Sequence, residues 1–232
     1  MIDLHLHLLP QVDDGARSME DAVAMARVLV SLGFTEAAPS PHNRSEYAPR
    51  DECVKRLDEV RLALSAAGVP LALHVNSENQ FVDEKLFESG RKLAGGPYLL
   101  IEAPYTTPLP VLPDVIFRLK LKGVTPVIAH PERCLEFEKK GRAAEAVRGG
   151  ALLQLDIAAL VGRYGPQAKK LARSFLDEGL YAIAASDMHS PVGAEKWLSE
   201  SLQALEKLVG SKGFAAMLTE TPAALVRGDP LT

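Results

Sequence analysis

Seven short apolar runs alternate with longer amphipathic stretches along this chain, and that alternation narrows the fold more than any other feature. The runs lie at Ile2–Leu6, Phe34–Ala38, Pro70–Val75, Tyr98–Glu102, Thr125–Ala129, Ala151–Leu155 and Tyr181–Ala185. Their length suits strands rather than helices. Between them the spacing predicts helices. Ser18 is placed to N-cap a helix through Leu32, with Asp21 at its third position and Gly33 just past its end. A second helix opens at Pro49 or Arg50, runs through Ala67 and stops at Gly68. Leu109–Lys122 ends at Gly123, and Gln167–Glu178 ends at Gly179. Glu195–Val209 and Phe214–Leu218 follow the last strand. Strands alternating with helices imply parallel βαβ units. No linker, break in composition or solenoid repeat interrupts them, so residues 1–232 read as one domain. Two architectures fit: a βα barrel, closed or distorted, and a doubly wound sheet. The chain lacks GxGxxG and GxxxxGK[ST], so a nucleotide-binding sheet would be without its fingerprint. Gly95-Gly96 and Gly149-Gly150 read as turns before strands.

Composition removes several functional classes. The 232 residues carry a net charge of -4 with both signs interspersed, which is not the electrostatic footprint of a nucleic-acid binder. Aromatics are 6%, too few for a base-stacking platform. No run of 18 apolar residues suggests a transmembrane helix. His5 and His7 sit where a signal peptide would be apolar. Two cysteines, Cys53 and Cys134, make no disulfide framework, and a cytoplasmic location is expected.

Five of the six histidines fall at or just past the end of an expected strand. His5 and His7 close the first, His42 follows the second, His130 the fifth and His189 the seventh. Carboxylates take matching places: Asp13 and Asp14 after the first strand, Glu78 after the third, Glu102 at the end of the fourth, Asp187 after the seventh. In a parallel barrel the carboxyl ends of all strands share one face, and that face carries the chemistry. A lone histidine there is ordinarily a packing residue. Five, with this many carboxylates, are not, because clustered charge without a counter-cation is costly. The set reads as a metal centre for two or three cations with a bridging carboxylate. Imidazole and carboxylate without thiolate favour Mn²⁺, Fe²⁺, Zn²⁺ or Co²⁺ over Mg²⁺ or Ca²⁺. Such cations acidify a water that can attack phosphorus in line, and an arginine fork would hold the phosphoryl oxygens. Arg133, three residues past His130, is the candidate fork, with a salt bridge to Glu132 or Glu136 as its ordinary alternative. Neither cysteine opens a Cys-x5-Arg loop, so a thiol phosphatase is excluded. His74, inside the third run, reads as a core residue or a support to a ligand; Asp156, ending the sixth run, reads as a support, and Asp13 as either a support or a ligand sharing a cation with Asp14.

Met1-Ile2-Asp3-Leu4-His5-Leu6-His7, Val12-Asp13-Asp14-Gly15, Pro41-His42, Glu78, Ile101-Glu102, Ile128-Ala129-His130-Pro131-Glu132-Arg133 and Ser186-Asp187-Met188-His189 together resemble the polymerase-and-histidinol-phosphatase (PHP) superfamily. Within it the chain is most similar to the manganese-dependent tyrosine phosphatases of bacterial capsular and exopolysaccharide operons, the CpsB/CapC/YwqE type. The resemblance implies a distorted seven-stranded TIM-like βα barrel with a trinuclear centre. It implies His5, His7, Glu78 and Asp187 on one metal, Glu78, Glu102 and His130 on a second, and Asp14, His42 and His189 on a third. Arg133 would be the catalytic, phosphate-binding arginine. The implied substrate is phosphotyrosine on a protein, a bacterial tyrosine autokinase of polysaccharide synthesis. Two positions depart from the family pattern. Asn76-Ser77-Glu78 stands where Gly-Ala-Glu is usual, and no arginine lies near Ala194, leaving Lys196 or Arg44 as substitutes. The competing readings are a small-molecule phosphatase of the histidinol-phosphate type, with the same centre, and a non-catalytic metal-binding regulator. An amidohydrolase is disfavoured because the fourth strand ends in Glu102, with no lysine placed to bridge.

Overall fold

The computed structural model describes residues 1–81 and 90–231. Nine short strands are present among them: β1 (Ile2–Asp3), β2 (Glu36–Ala37), β3 (His42–Asn43), β4 (Ala72–Leu73), β5 (Glu78–Gln80), β6 (Tyr98–Glu102), β7 (Thr125–Ala129), β8 (Leu152–Asp156) and β9 (Tyr181–Ala185). All pairings are parallel, in the orders β1-β2-β4 and β3-β5-β6-β7-β8-β9.

The excess over seven has a simple cause. β2 and β3 are two parts of one stave, interrupted by Pro39-Ser40-Pro41, whose prolines have no N–H to give the ladder. β4 and β5 are likewise one stave. The register is the same on both sides of the gap: Glu36 faces Ala72 and Ala37 faces Leu73, then His42 faces Glu78 and Asn43 faces Asn79. So Glu78 opens a strand instead of following one, and of the expected Pro70–Val75 run only Ala72–Leu73 pairs. β1 is also shorter than expected. After Asp3 its own carboxylate takes the N–H groups of His5 and Ser186 in place of a neighbouring strand. A parallel bridge between Leu6 and Met188, flanked by Asp187 N–H to His5 O and His7 N–H to Met188 O, brings the first segment beside the last. The result is a distorted βα barrel.

Alternation along the strands sorts the core into two layers. Ile2, Leu4, Ala38, Leu100, Val127, Ala129 and Ile183 form one buried cluster that fills the ring, with Leu225 and Leu93 packed against it. Leu99, Ile101, Ile128, Leu153 and Leu155 belong to the larger cluster between strands and helices. Each fully buried aliphatic side chain contributes roughly 1.5–3 kcal/mol of transfer free energy. The same parity turns Glu102, Gln154 and Asp156 inward at the carboxyl ends of β6 and β8, which is where the ring stops being apolar.

Among the described residues seven α-helices flank the strands: α1 (Met19–Ser31), α2 (Arg50–Ala66), α3 (Leu112–Leu121), α4 (Arg142–Arg148), α5 (Gly165–Asp177), α6 (Ala194–Ala215) and α7 (Thr221–Arg227). Ser18 caps α1, accepting from the Asp21 N–H at 3.2 Å. α3 starts later than its apolar pattern, because the Leu109 N–H is taken by the Glu136 carboxylate and Pro113 falls in the first turn. α4 and α7 are short and went unanticipated. α6 covers the expected Glu195–Val209 helix and the start of Phe214–Leu218, broken at Gly210 (φ 69, ψ 169), and Ala216–Glu220 continues from it as a π-helical turn.

Candidate metal centre

The strand ends deliver nine donors to one place. His5 and His7 follow β1, His42 opens β3, Glu78 opens β5, Glu102 ends β6, His130 follows β7, and Asp187 and His189 follow β9. Asp14 comes from the loop after His7. His130 (φ 32) and Asp187 (φ 50) leave their strands in the left-handed region, which non-glycine residues avoid at a cost of about 1–3 kcal/mol each. That turn aims both side chains back over the barrel mouth.

The donors fall into four overlapping groups: His7, Asp14, His42 and His189; His5, His7 and Asp187; His5, Glu78 and His130; His42, Glu78 and Glu102. Within each group one donor atom per residue lies within 4.8 Å of the others. All nine residues expected as ligands fall in these groups. Glu78 is the hub: its Oε1 lies 2.9 Å from His130 Nε2 and 3.4 Å from His5 Nε2, and its Oε2 lies 2.9 Å from His42 Nδ1 and 3.6 Å from His7 Nε2. The partition differs in detail from the one the family resemblance implies. Glu102 groups with His42 and Glu78, His130 groups with His5, and His7 joins the outer set. His5, His7, Glu78 and His130 are almost wholly buried, whereas Asp14 is exposed and His189 half-buried at the mouth.

These residues fit a cluster of divalent cations. His5 Nε2, His7 Nε2, His42 Nδ1, His130 Nδ1 and Asp187 Oδ1 are buried without a hydrogen-bond partner, an arrangement a native interior does not tolerate unless something else takes the lone pairs. Asp187 Oδ1 stands 3.2 Å from His5 Nε2 and 3.4 Å from His7 Nε2. Two donors each about 2.1 Å from a shared ion sit roughly 3.0–3.5 Å apart, beyond a good hydrogen bond. Without cations the cluster holds protons. Burial pushes the His5 imidazole down, but Glu78 and Asp187 outweigh it and raise it to about 9. His42 is likewise raised to about 9 against burial, by Asp14 and Glu78. The hydrogen bond from His42 is the main reason Asp14 is lowered to about 2.

A surrounding shell fixes the ligands. His7 Nδ1 lies 2.7 Å from Asp13 Oδ2, and His5 Nδ1 lies 2.8 Å from Gln154 Oε1, which turns both Nε2 atoms to the centre. His189 Nδ1 approaches the Asp187 carbonyl at 2.8 Å. Asp13 also accepts from the N–H groups of Gly15 and His42. Asp13 therefore supports His7. Gly15 permits that turn, since a Cβ there would lie 2.2 Å from the His7 carbonyl oxygen. Gln154 was missed in the sequence, although an amide inside the apolar Leu152–Leu155 run was its signal. His74 joins none of the groups and pairs with Glu36 at 2.7 Å.

Arg133 lies at the edge of the cluster. Its Nη1 donates to Asp156 Oδ2 at 3.0 Å and to Asp187 Oδ2. It pairs with neither Glu132 nor Glu136. Glu132 is buried, accepting from the Asp156 N–H and the Tyr181 hydroxyl, and Glu136 is taken by Arg142 and the Leu109 N–H. Tyr105 and Tyr164 flank the Arg133 guanidinium, 4.9 and 4.0 Å from their ring centres. Of the two substitutes for the family's second arginine, Arg44 reaches the centre and pairs with Glu102, while Lys196 is exposed on the first turn of α6. Both cysteines are free and buried. Cys134 Sγ sits beside the Ala103 and His130 carbonyls, and burial holds its thiol far above the range of a nucleophile.

A parallel βα barrel with buried imidazoles and carboxylates converging at its carboxyl face defines a metal-dependent hydrolase of the PHP type. Residues 1–227 match the family model described as capsular polysaccharide synthesis, CpsB/CapC, and the chain belongs to that family. It is 32% identical over 238 residues to the tyrosine-protein phosphatase YwqE of Bacillus subtilis, covering all of this chain and 93% of that protein. It is 26% identical to the tyrosine-protein phosphatase CpsB of Streptococcus pneumoniae, covering 97% and 98%. A solved structure from a study of those two metal-dependent tyrosine phosphatases superposes with a TM-score of 0.90 at 32% identity, over 100% of this chain and 96% of that one. A histidinol phosphate phosphatase from Lactococcus lactis shares the fold, with a TM-score of 0.57 at 10% identity over 92% and 94%. Among the described residues no helix is long and apolar enough to cross a membrane.

Proposed function

We propose that this chain is a metal-dependent protein-tyrosine phosphatase that removes phosphate from tyrosine residues of a protein partner, a bacterial tyrosine autokinase controlling capsular or exopolysaccharide synthesis, in the cytoplasm. Residues 1–232 act as one catalytic domain. The observation that carries the reading is the convergence of nine imidazole and carboxylate donors, five of their buried atoms without a protein partner, beside the Arg133 guanidinium. Two or three divalent ions, manganese by family likeness, would be held by His5, His7, Asp14, His42, Glu78, Glu102, His130, Asp187 and His189. When bound they supply Lewis-acid charge and a water acidified toward neutrality.

The chain's own residues do the rest. Arg133 presents a planar fork at the rim, suited to two phosphoryl oxygens whose charge grows as the bond to phosphorus breaks. Asp156 and Tyr164 hold that fork in place. His42, Glu78 and Glu102 sit in strands, and the hydrogen bonds of Asp13 and Gln154 fix the rings of His7 and His5, so little reorganisation is needed when charge develops. Asp14 at the mouth is held ionised, and a tyrosyl leaving group, with a pKa near 10, needs less protonation than an alkyl alcohol. Burial excludes both cysteines from the chemistry.

Substrate profiling at equal metal loading tests the proposal. Phosphotyrosine peptides should be hydrolysed with a kcat/KM well above that for histidinol phosphate, and thiol alkylation should leave the rate intact. A preference for histidinol phosphate would overturn it.

A further inference from the structure

The chain has five tyrosines, and their placement is uneven. Tyr98 and Tyr181 begin β6 and β9, at the end of the barrel away from the donors. The other three come from the loops after β3, β6 and β8 and stand around the donor cluster. Tyr47 stacks on His42, ring centres 5.4 Å apart and planes inclined by 15°. Tyr105 lies 5.5 Å from the His130 ring and 4.9 Å from the Arg133 guanidinium carbon. Tyr164 lies under the same guanidinium at 4.0 Å. In a chain with so few aromatics, three rings at one mouth is a concentration that barrel packing does not require, and Tyr105 leaves 40% of its surface to solvent.

We infer that Tyr105 is a specificity-determining residue that receives the aromatic ring of the substrate, with Tyr47 and Tyr164 completing an aromatic collar, so that aryl phosphate monoesters are selected over alkyl ones. This rests on the phosphatase reading above. A phosphoryl group held between the His130 side of the donor cluster and Arg133 has its ester oxygen beside Tyr105, the residue that touches both. From there an aryl group meets the exposed face and edge of the Tyr105 ring, while a seryl methylene is too short and has no face to offer. Offset or edge-to-face contacts between two rings favour binding by about 2- to 10-fold beyond simple burial. Tyr164 differs in role, because Arg133 lies closer over its ring, 4.0 Å against 4.9 Å for Tyr105. It positions the fork and acts on all substrates alike.

The test separates these roles. On manganese-loaded protein, kcat/KM is measured for a phosphotyrosine peptide and a phosphoserine peptide of the same sequence. Affinity for phenylphosphonate and ethylphosphonate is measured by calorimetry. Tyr105→Leu should lower the phosphotyrosine kcat/KM and phenylphosphonate affinity about 2- to 10-fold relative to the phosphoserine and ethylphosphonate values. Tyr105→Phe should keep both, and Tyr164→Leu should depress both substrates together. Parallel losses for aryl and alkyl substrates in Tyr105→Leu would overturn the inference, and so would a wild-type protein that binds the two phosphonates equally. A wild type that prefers phenylphosphonate but hydrolyses neither peptide would support the collar and sink the phosphatase reading instead.

Discussion

Arg133 and Asp187 share one carboxylate between two tasks. The Asp187 Oδ2 accepts from Arg133 Nη1, while Oδ1 of the same group faces His5 and His7 at 3.2 and 3.4 Å. The candidate phosphate fork is thus tied to a candidate metal ligand, and Asp156 holds it from the other side at 3.0 Å. The candidate fork and the candidate metal site form one electrostatic unit.

Arg133→Ala should therefore have two effects. Turnover on a phosphotyrosine peptide should fall roughly 10²–10³-fold, the scale of losing one transition-state donor. Metal affinity should also weaken, by at most about 10–100-fold, because Asp187 loses the partner that orients it. Arg133→Lys should recover little turnover, since an ammonium cannot span two phosphoryl oxygens. Steady-state kinetics with metal titration check both, and near-normal turnover in the alanine variant would reduce Arg133 to an ion-pair partner.

Glu78 touches four histidines, so its loss should be felt across the cluster. Glu78→Gln should lower total metal content by more than one equivalent relative to the wild type. His189→Ala, at the half-buried mouth, should remove no more than one. Metal analysis by mass spectrometry reads the difference directly, and equal contents in Glu78→Gln and wild type would remove the bridging role.

Gln154→Leu and Asp13→Asn should each leave the fold intact and cost about 10–100-fold in metal affinity, because they free the His5 and His7 rings to rotate. Far-ultraviolet circular dichroism with competition against a fluorescent chelator distinguishes this from unfolding. Unchanged affinity in both variants would mean that the rings are fixed by packing alone.

The pH dependence of the metal-free protein follows from the imidazoles. His5 and His42 are raised from 6.5 to about 9, so the folded state binds their protons more tightly than the unfolded chain does. That stabilisation is fully present below about pH 6.5 and is lost as the pH rises through about 9. Chelated protein should melt at a lower temperature at pH 9 than at pH 6. Coordination needs the deprotonated rings, so metal should protect more strongly at the higher pH. Scanning calorimetry in matched buffers with and without metal checks the sign, and a chelated protein more stable at pH 9 would contradict it.

Much of the site was legible in the sequence because barrel topology turns sequence position into spatial position. A histidine or carboxylate at a strand's carboxyl end must face the same mouth, so the cluster from His5 to His189 was legible without coordinates, and the family resemblance narrowed it to nine residues. What was not legible depends on local breaks in the ladder. Pro39 and Pro41 divide one stave, which makes His42 and Glu78 strand openers rather than loop residues. The left-handed turns at His130 and Asp187 leave no mark in composition. α4 is bounded by Gly141 and Gly149, and its seven residues are too few for a clear period. The tie between Arg133 and Asp187 joins residues 54 apart and belongs to tertiary packing alone.

The central claim is that cations held by the strand-end histidines and carboxylates make the hydrolysis possible. Purified protein should be stripped with a chelator, its metal content measured, and activity on a phosphotyrosine peptide followed as Mn²⁺ is added back. The predicted result is no activity in the stripped protein and recovery that needs more than one equivalent of metal per chain. Full activity in folded protein carrying less than a tenth of an equivalent of any transition metal would contradict the account.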